Sequence, residues 1–243
     1  MSAAHQIPDP PPTRPWVMGM RWHDLLFMHW PVPIHELRPL IPQSLEIDTF
    51  EGEAWLGVVP FRMTGVRPRF VPGIPGTSAF PELNVRTYVK ARGRAGVWFF
   101  SLDAASRLAV RTARRAFHLP YFDANITTQT IGDDIRYAST RTHRNSPPAS
   151  LRMRYKPVGA PYVTKPGSLD DFLTNRLCLY AANGRGRVYR ADVAHVPWPL
   201  QSAEAEIESM AMTEQIGVKL PQAPPLLHFA RFLDVVSGWP VRV

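Results

Sequence analysis

The chain has 243 residues, 45% of them hydrophobic and 20% charged, and a formal net charge of +8. That balance describes a globular protein able to bury a sizeable core, while 26 prolines disfavour a long-helix bundle. The single cysteine, Cys178, excludes a disulfide framework and a cysteine-based zinc site, and the arginines are too scattered to mark a nucleic-acid binder.

The N-terminus "MSAAHQIPDPPPTRPW" is polar and proline-rich, with no apolar signal-peptide core. It is expected to form a disordered or loosely attached arm through Arg14, leaving residues 15–243 as one domain. No run of about 18 apolar residues suggests a membrane span, so a cytoplasmic location is expected. "HDLLFMHWPV", residues 23–32, is apolar and aromatic and predicts a buried strand. "PIHELRPLIP" predicts a short helical turn, with Pro33 at its start and Pro39 and Pro42 stopping it.

"SLEIDTFEGEAWLGVVPFRM" predicts two strands joined at Glu51-Gly52. The loop "RPRFVPGIPGTSAF" is rich in glycine and proline and suited to cross a pocket mouth. "ELNVRTYVKARGRAGVWFFSLDA" predicts a second hairpin. Its alternation puts Asn84, Arg86, Tyr88 and Lys90 on one face and Val85, Thr87 and Val89 on the other. From about Asp103 to Phe117 the period becomes helical, with alanines on one side and Arg107, Arg111, Arg114 and Arg115 opposite.

"NITTQTIGDDIRYASTRTHR" predicts a third hairpin, turning at Gly132-Asp133-Asp134. "GSLDDFLTNRL" is a short helix capped by Ser168. "LCLYAANGRGRVYRADVAHVPWPL" predicts a fourth hairpin at Asn183-Gly184. "AEAEIESM" and "LLHFARFLDVV" alternate like strands, with a helical alternative open over residues 203–216. The pattern describes a mainly antiparallel α+β fold, a curved sheet or β-barrel with two or three short helices packed on it.

The eight histidines show no HExxH or comparable ligand spacing, so no metal is expected. No nucleophile elbow, P-loop or dinucleotide fingerprint occurs, and no cofactor is expected; "GRGR" at 184–187 reads as a hairpin turn. Cys178, in "LCLY", reads as a small buried hydrophobe.

The ordered motifs "LLFMHWPV", "LIPQSLEIDTFEGEAWLGVVPFRM", "FPELNVRTYV", "GVWFFSLDA", "ARRAFHLPY" and "GSLDDFLTNRLCLY" resemble the YqjF-like family of uncharacterised proteins. That family resembles a branch of the acetoacetate decarboxylase-like superfamily. The resemblance runs from about Trp16 to Trp239 and implies an α+β, barrel-like sheet enclosing a small-molecule cavity. In the decarboxylase, a lysine following a helix forms a Schiff base with a β-keto acid. The corresponding place here is Phe117-His118, and no lysine lies between Lys90 and Lys156. Arginine cannot substitute, because its guanidinium stays protonated.

The resemblance leaves His118, Glu82 and Tyr121 as catalytic candidates. They would supply a general acid/base, the counterpart of the relatives' pocket glutamate, and a phenolic donor. Arg86, whose planar fork suits a carboxylate, and Asn84 on the same strand face are the ligand-binding candidates. Each also has a structural reading: a turn histidine, a glutamate paired with Arg86, a packed tyrosine, a solvated strand arginine. The expected function is binding of a small organic, anionic carbonyl ligand, with any catalysis being lysine-independent acid/base chemistry. The alternative is a non-catalytic ligand- or partner-binding module. A small molecule is the expected partner, without nucleic acid or membrane, and the chain is compatible with a homo-oligomer.

Overall fold

A computed structural model describes residues 15–73 and 78–243. The proposed arm through Arg14 and the tip of the glycine- and proline-rich loop, residues 74–77, lie outside the described residues. The strands are β1 (Trp16–Val32), β2 (Glu46–Ile47), β3 (Ala54–Pro68), β4 (Phe80–Ala91), β5 (Arg94–Ala104), β6 (Tyr121–Ile131) and β7 (Asp134–Arg141). They continue as β8 (Ser150–Tyr162), β9 (Cys178–Ala182), β10 (Val188–His195), β11 (Leu200–Met210), β12 (Leu226–Gly238) and β13 (Val241–Arg242). Three helices join them: α1 (Ile34–Leu37), α2 (Arg107–Ala116) and α3 (Leu169–Thr174).

All the strands belong to one large curved sheet, in the order β13-β10-β9-β5-β6-β7-β8-β11-β12-β1-β3-β4-β2. Two further pairings, β10 with β12 and β5 with β4, turn that sheet back on itself. Successive pairings therefore lead from β12 through β1, β3, β4, β5, β9 and β10 to β12 again. This circuit surrounds the cavity described below.

Local chemistry explains the turns. The β4–β5 connection is Arg92-Gly93, both at positive φ (50° and 75°), the mirror-image turn whose twist suits a two-residue hairpin. Gly132, at φ 62°, opens the β6–β7 turn. Ser168 and Ser106 cap α3 and α2 by accepting from the amides of Asp171 and Ala109.

The central strands are buried on both faces, as an interior sheet demands. Leu26, Met28, Leu56, Val58, Leu83 and Val85 point into a packed core shared with Ile135, Tyr137, Leu151, Met153 and Tyr155 of β7 and β8. The opposite face carries Leu25, Phe27, Val59, Phe61 and Met63 toward α2 and β12. Two irregularities keep residues aimed at that side. Asp24, at φ 52°, shifts the alternation of β1, and a bulge in β5 lets Val97, Phe99 and Leu102 share a face.

Three sequence expectations change. Glu46–Ile47 does not pair with β3 across Glu51-Gly52; it pairs with β4, and only a Phe50–Glu53 bridge closes the turn. Both edges of β3 are already taken by β1 and β4. Asp103 and Ala104 end β5 rather than begin a helix, because the Ser106 cap starts α2 at Arg107. The mainly antiparallel pattern holds, with two parallel pairings, of β5 with β6 across the α2 connection and of β5 with β9. Finally, β8 was not anticipated, although "LRMRY" alternates buried and exposed residues. Over residues 203–216 the strand alternative holds through Met210, followed by one helical turn at Glu214–Ile216.

Candidate functional site

A cavity of about 200 Å³ opens between the β1-β3-β4 wall, the β5-β9-β10 wall and α2. Most of its surface is apolar. Trp22 packs edge-on to Phe61 and stacks on Trp198, which in turn meets Phe27 edge-on. Ala109 and Ala113 of α2 bring that helix against the cavity. The arginines on the opposite side of α2 remain exposed.

β4 supplies the principal polar groups. Period-two geometry carries Glu82, Asn84 and Arg86 to one face, and all three line the cavity. The polar stripe that suggested a solvated strand face is interior: Glu82 is 2% and Arg86 9% exposed. The Tyr121 hydroxyl donates to the Glu82 carboxyl at 2.7 Å, and Asn84 also hydrogen-bonds it. Burial pushes the Glu82 carboxyl up to about 8, outweighing those hydrogen bonds, and the nearby Asp103 carboxylate adds to the rise. Glu82 is therefore mainly protonated at neutral pH. Burial and the Glu82 charge likewise hold the Tyr121 phenol well above its ordinary range.

Arg86 has a different environment. One Nη donates to the Leu173 carbonyl at 3.1 Å and reaches the Tyr88 hydroxyl at 3.5 Å. Its Nε is buried without a hydrogen-bond partner, and no carboxylate among the described residues pairs with it. Phe27 lies beneath the guanidinium, 5.2 Å from the ring centroid. His29 packs against this group, and its Nε2 meets the Tyr88 hydroxyl at 2.6 Å. Burial, and then the charges of Arg86 and His228, keep His29 neutral. Gly57 permits the packing: a Cβ there would come within 3.0 Å of the His29 ring and 3.4 Å of the Arg86 stem.

Of the candidates read from sequence, Glu82, Asn84, Arg86 and Tyr121 meet at this cavity, and His118 does not. Its neighbours Phe117 and Leu119 are lining residues, whereas His118, at φ 56°, turns its ring onto Tyr189 at 4.7 Å. The histidine that does line the cavity is His195, at the end of β10. Its Nδ1 lies 2.7 Å from the Val196 carbonyl, an acceptor, so Nδ1 carries the proton. Burial and the Arg86 charge lower its pKa against that hydrogen bond. Alternation in "ADVAH" puts His195 on the face of Val193, another lining residue, but nothing local indicated that this face meets Arg86.

None of the four lysines lines the cavity. Lys90 lies by Glu46 and Asp48, and Lys156 by Glu204. No group of three or more metal-ligating side chains occurs among the described residues, and no described helix is long and apolar enough to cross a membrane.

Residues 19–234 match DUF2071, the family described as "Uncharacterized conserved protein (COG2071)". The chain belongs to this family. It is also 48% identical over 227 residues to the uncharacterized protein YqjF of Bacillus subtilis (strain 168), covering 93% of this chain and 92% of that one. Among solved structures, the fold is similar to the enduracididine biosynthesis enzyme MppR complexed with pyruvate. That likeness has a TM-score of 0.64 at 12% identity, over 96% of this chain and 92% of the other. It is similar too to the acetoacetate decarboxylase of Legionella pneumophila subsp. pneumophila str. Philadelphia 1. The TM-score is 0.61 at 12% identity, over 100% and 92% of the two chains. The acetoacetate decarboxylase-like fold is thus shared across little sequence identity.

Proposed function

We propose that this member of DUF2071 binds a small organic acid in the β4 cavity, with Arg86 as the counter-charge of its carboxylate. The observation that carries this reading is a buried guanidinium with no carboxylate partner among the described residues, in a mostly apolar chamber. An uncompensated buried charge is costly, and a bound anion relieves that cost while the planar fork orients it. The volume of about 200 Å³ favours a small ligand over a drug-sized one.

Glu82 and Tyr121 give the same chamber a donor. A protonated Glu82 can hydrogen-bond a carbonyl oxygen or deliver a proton to it, which suits a carbonyl acid. Any catalysis would be acid/base chemistry without a Schiff base, since no lysine lines the cavity. Pyruvate, the small carbonyl acid named with MppR, is compatible with this class, though that likeness concerns the fold alone.

The test is a thermal melt with 4-methyl-2-oxopentanoate and its uncharged methyl ester, on wild type and Arg86→Met. Acid at about 100 times its dissociation constant should stabilise wild type by about 2.7 kcal/mol. The ester should do much less, and Arg86→Met should not distinguish the two. Equal responses to acid and ester in wild type, or an acid response unchanged by Arg86→Met, would overturn the assignment.

A further inference from the structure

We infer that His195 makes the cavity selective for acids that carry a hydroxyl near the carboxylate, a specificity that rests on the Arg86 reading above. The backbone decides the state of this ring. A carbonyl can only accept, so the 2.7 Å contact with Val196 places the proton on Nδ1 and leaves Nε2 as a lone-pair acceptor. Among the described residues the ring's hydrogen bond is the one through Nδ1, and the ring lines the cavity. The ring is 5.0 Å from Trp198 and hydrogen-bonded through Nδ1, which fixes its orientation.

The other polar groups of the chamber have different roles. Arg86 offers only donors, protonated Glu82 has a proton to give, and the Tyr121 hydroxyl already donates to Glu82. Arg176 is held by Asp48 at 2.6 Å. His195 is thus the ring acceptor of the chamber, beside the buried and unpartnered Oδ1 of Asn84 on β4. Arg86 is close enough for its charge to disfavour imidazolium, so the histidine stays an acceptor when the guanidinium is present. A ligand amine would bring a second cation beside Arg86, whereas a hydroxyl donates without charge. An acid lacking a donor would leave Nε2 desolvated and unpaired, the condition under which polar sites discriminate.

The experiment measures the affinities of 2-hydroxy-4-methylpentanoate and 4-methylpentanoate by calorimetry, for wild type, Arg86→Met, His195→Leu and His195→Gln. Thermal melts without ligand establish that each variant is folded. Wild type should prefer the hydroxy acid about fivefold. His195→Leu should bring that ratio to about one, and His195→Gln, which retains an acceptor, should recover part of it. Arg86→Met should weaken both acids together. Arg86-dependent binding with no hydroxyl preference, or a preference that survives in His195→Leu, would overturn the role of His195 alone. Failure of both acids to bind, or binding indifferent to Arg86→Met, would overturn the carboxylate site and this inference with it. If His195→Leu does not fold, His195→Gln decides: a hydroxyl preference reduced below that of wild type in a folded His195→Gln supports the role of His195, and an undiminished preference overturns it.

Discussion

Two buried arginines lie on opposite sides of the β4–β5 sheet. Arg141 makes a two-pronged pair with Asp103 at 2.8 and 3.0 Å, both side chains essentially inaccessible, and also donates to Gln215 and to the Pro147 carbonyl. Arg86 has a carbonyl, a distant phenol, an aromatic face and a cavity. The first guanidinium finds its counter-ion within the fold; the second does not. Burial alone therefore does not distinguish a structural arginine from a candidate binding one. The distinction is whether the folded chain supplies the anion.

The sharpest way to break this comparison is to remove each arginine in turn. Arg141→Met strands the Asp103 carboxylate and should cost about 3–5 kcal/mol in urea unfolding. Arg86→Met should change stability by about 1 kcal/mol or less, because the Leu173 carbonyl still accepts from Tyr88 at 2.6 Å. Equal losses would make Arg86 structural as well.

A pH profile probes the donor that shares the chamber with Arg86. The Glu82 carboxyl is raised from 4.5 to about 8, so the folded state holds a proton that the unfolded state has released. Its stabilising contribution is complete below about pH 4.5 and is lost as pH rises through about 8. Glu82→Gln should flatten that part of the stability profile; an unchanged slope would mean Glu82 does not retain its proton.

Smaller changes sharpen the contrast. Gly57→Ala intrudes on the His29 ring and the Arg86 stem and should cost about 1–3 kcal/mol, with weaker acid binding. The corresponding change at Gly184, with open space around it, should leave acid binding unchanged. Least affected should be His118→Ala, within about 0.5 kcal/mol of wild type and with its acid-dependent melting shift intact. Loss of that shift would return His118 to the site.

Much of this protein was legible in short-range pattern. Period-two alternation marked the paired faces of β4, the segment from Glu82 to Ala104 and the turn at Gly132 marked two hairpins, and Ser168 marked the start of α3. The order of motifs also pointed to the acetoacetate decarboxylase-like fold and put Glu82, Arg86 and Tyr121 forward. His118 looked equally suitable because its address in the chain is right; a positive φ at that residue turns the ring toward Tyr189 instead.

What the sequence by itself determined was which residues could share a face, since alternation, capping and turn preference act over a few neighbouring positions. Whether the polar face of β4 met water or protein depended on the return of β10 to β12 and the parallel pairings of β5, contacts between residues far apart in the chain. Only that closure could bring His195 to the chamber of Arg86, deny the guanidinium a carboxylate, and raise Glu82 by removing it from water. Charge and hydrogen-bonding capacity are properties of residues; desolvation is a property of their assembly.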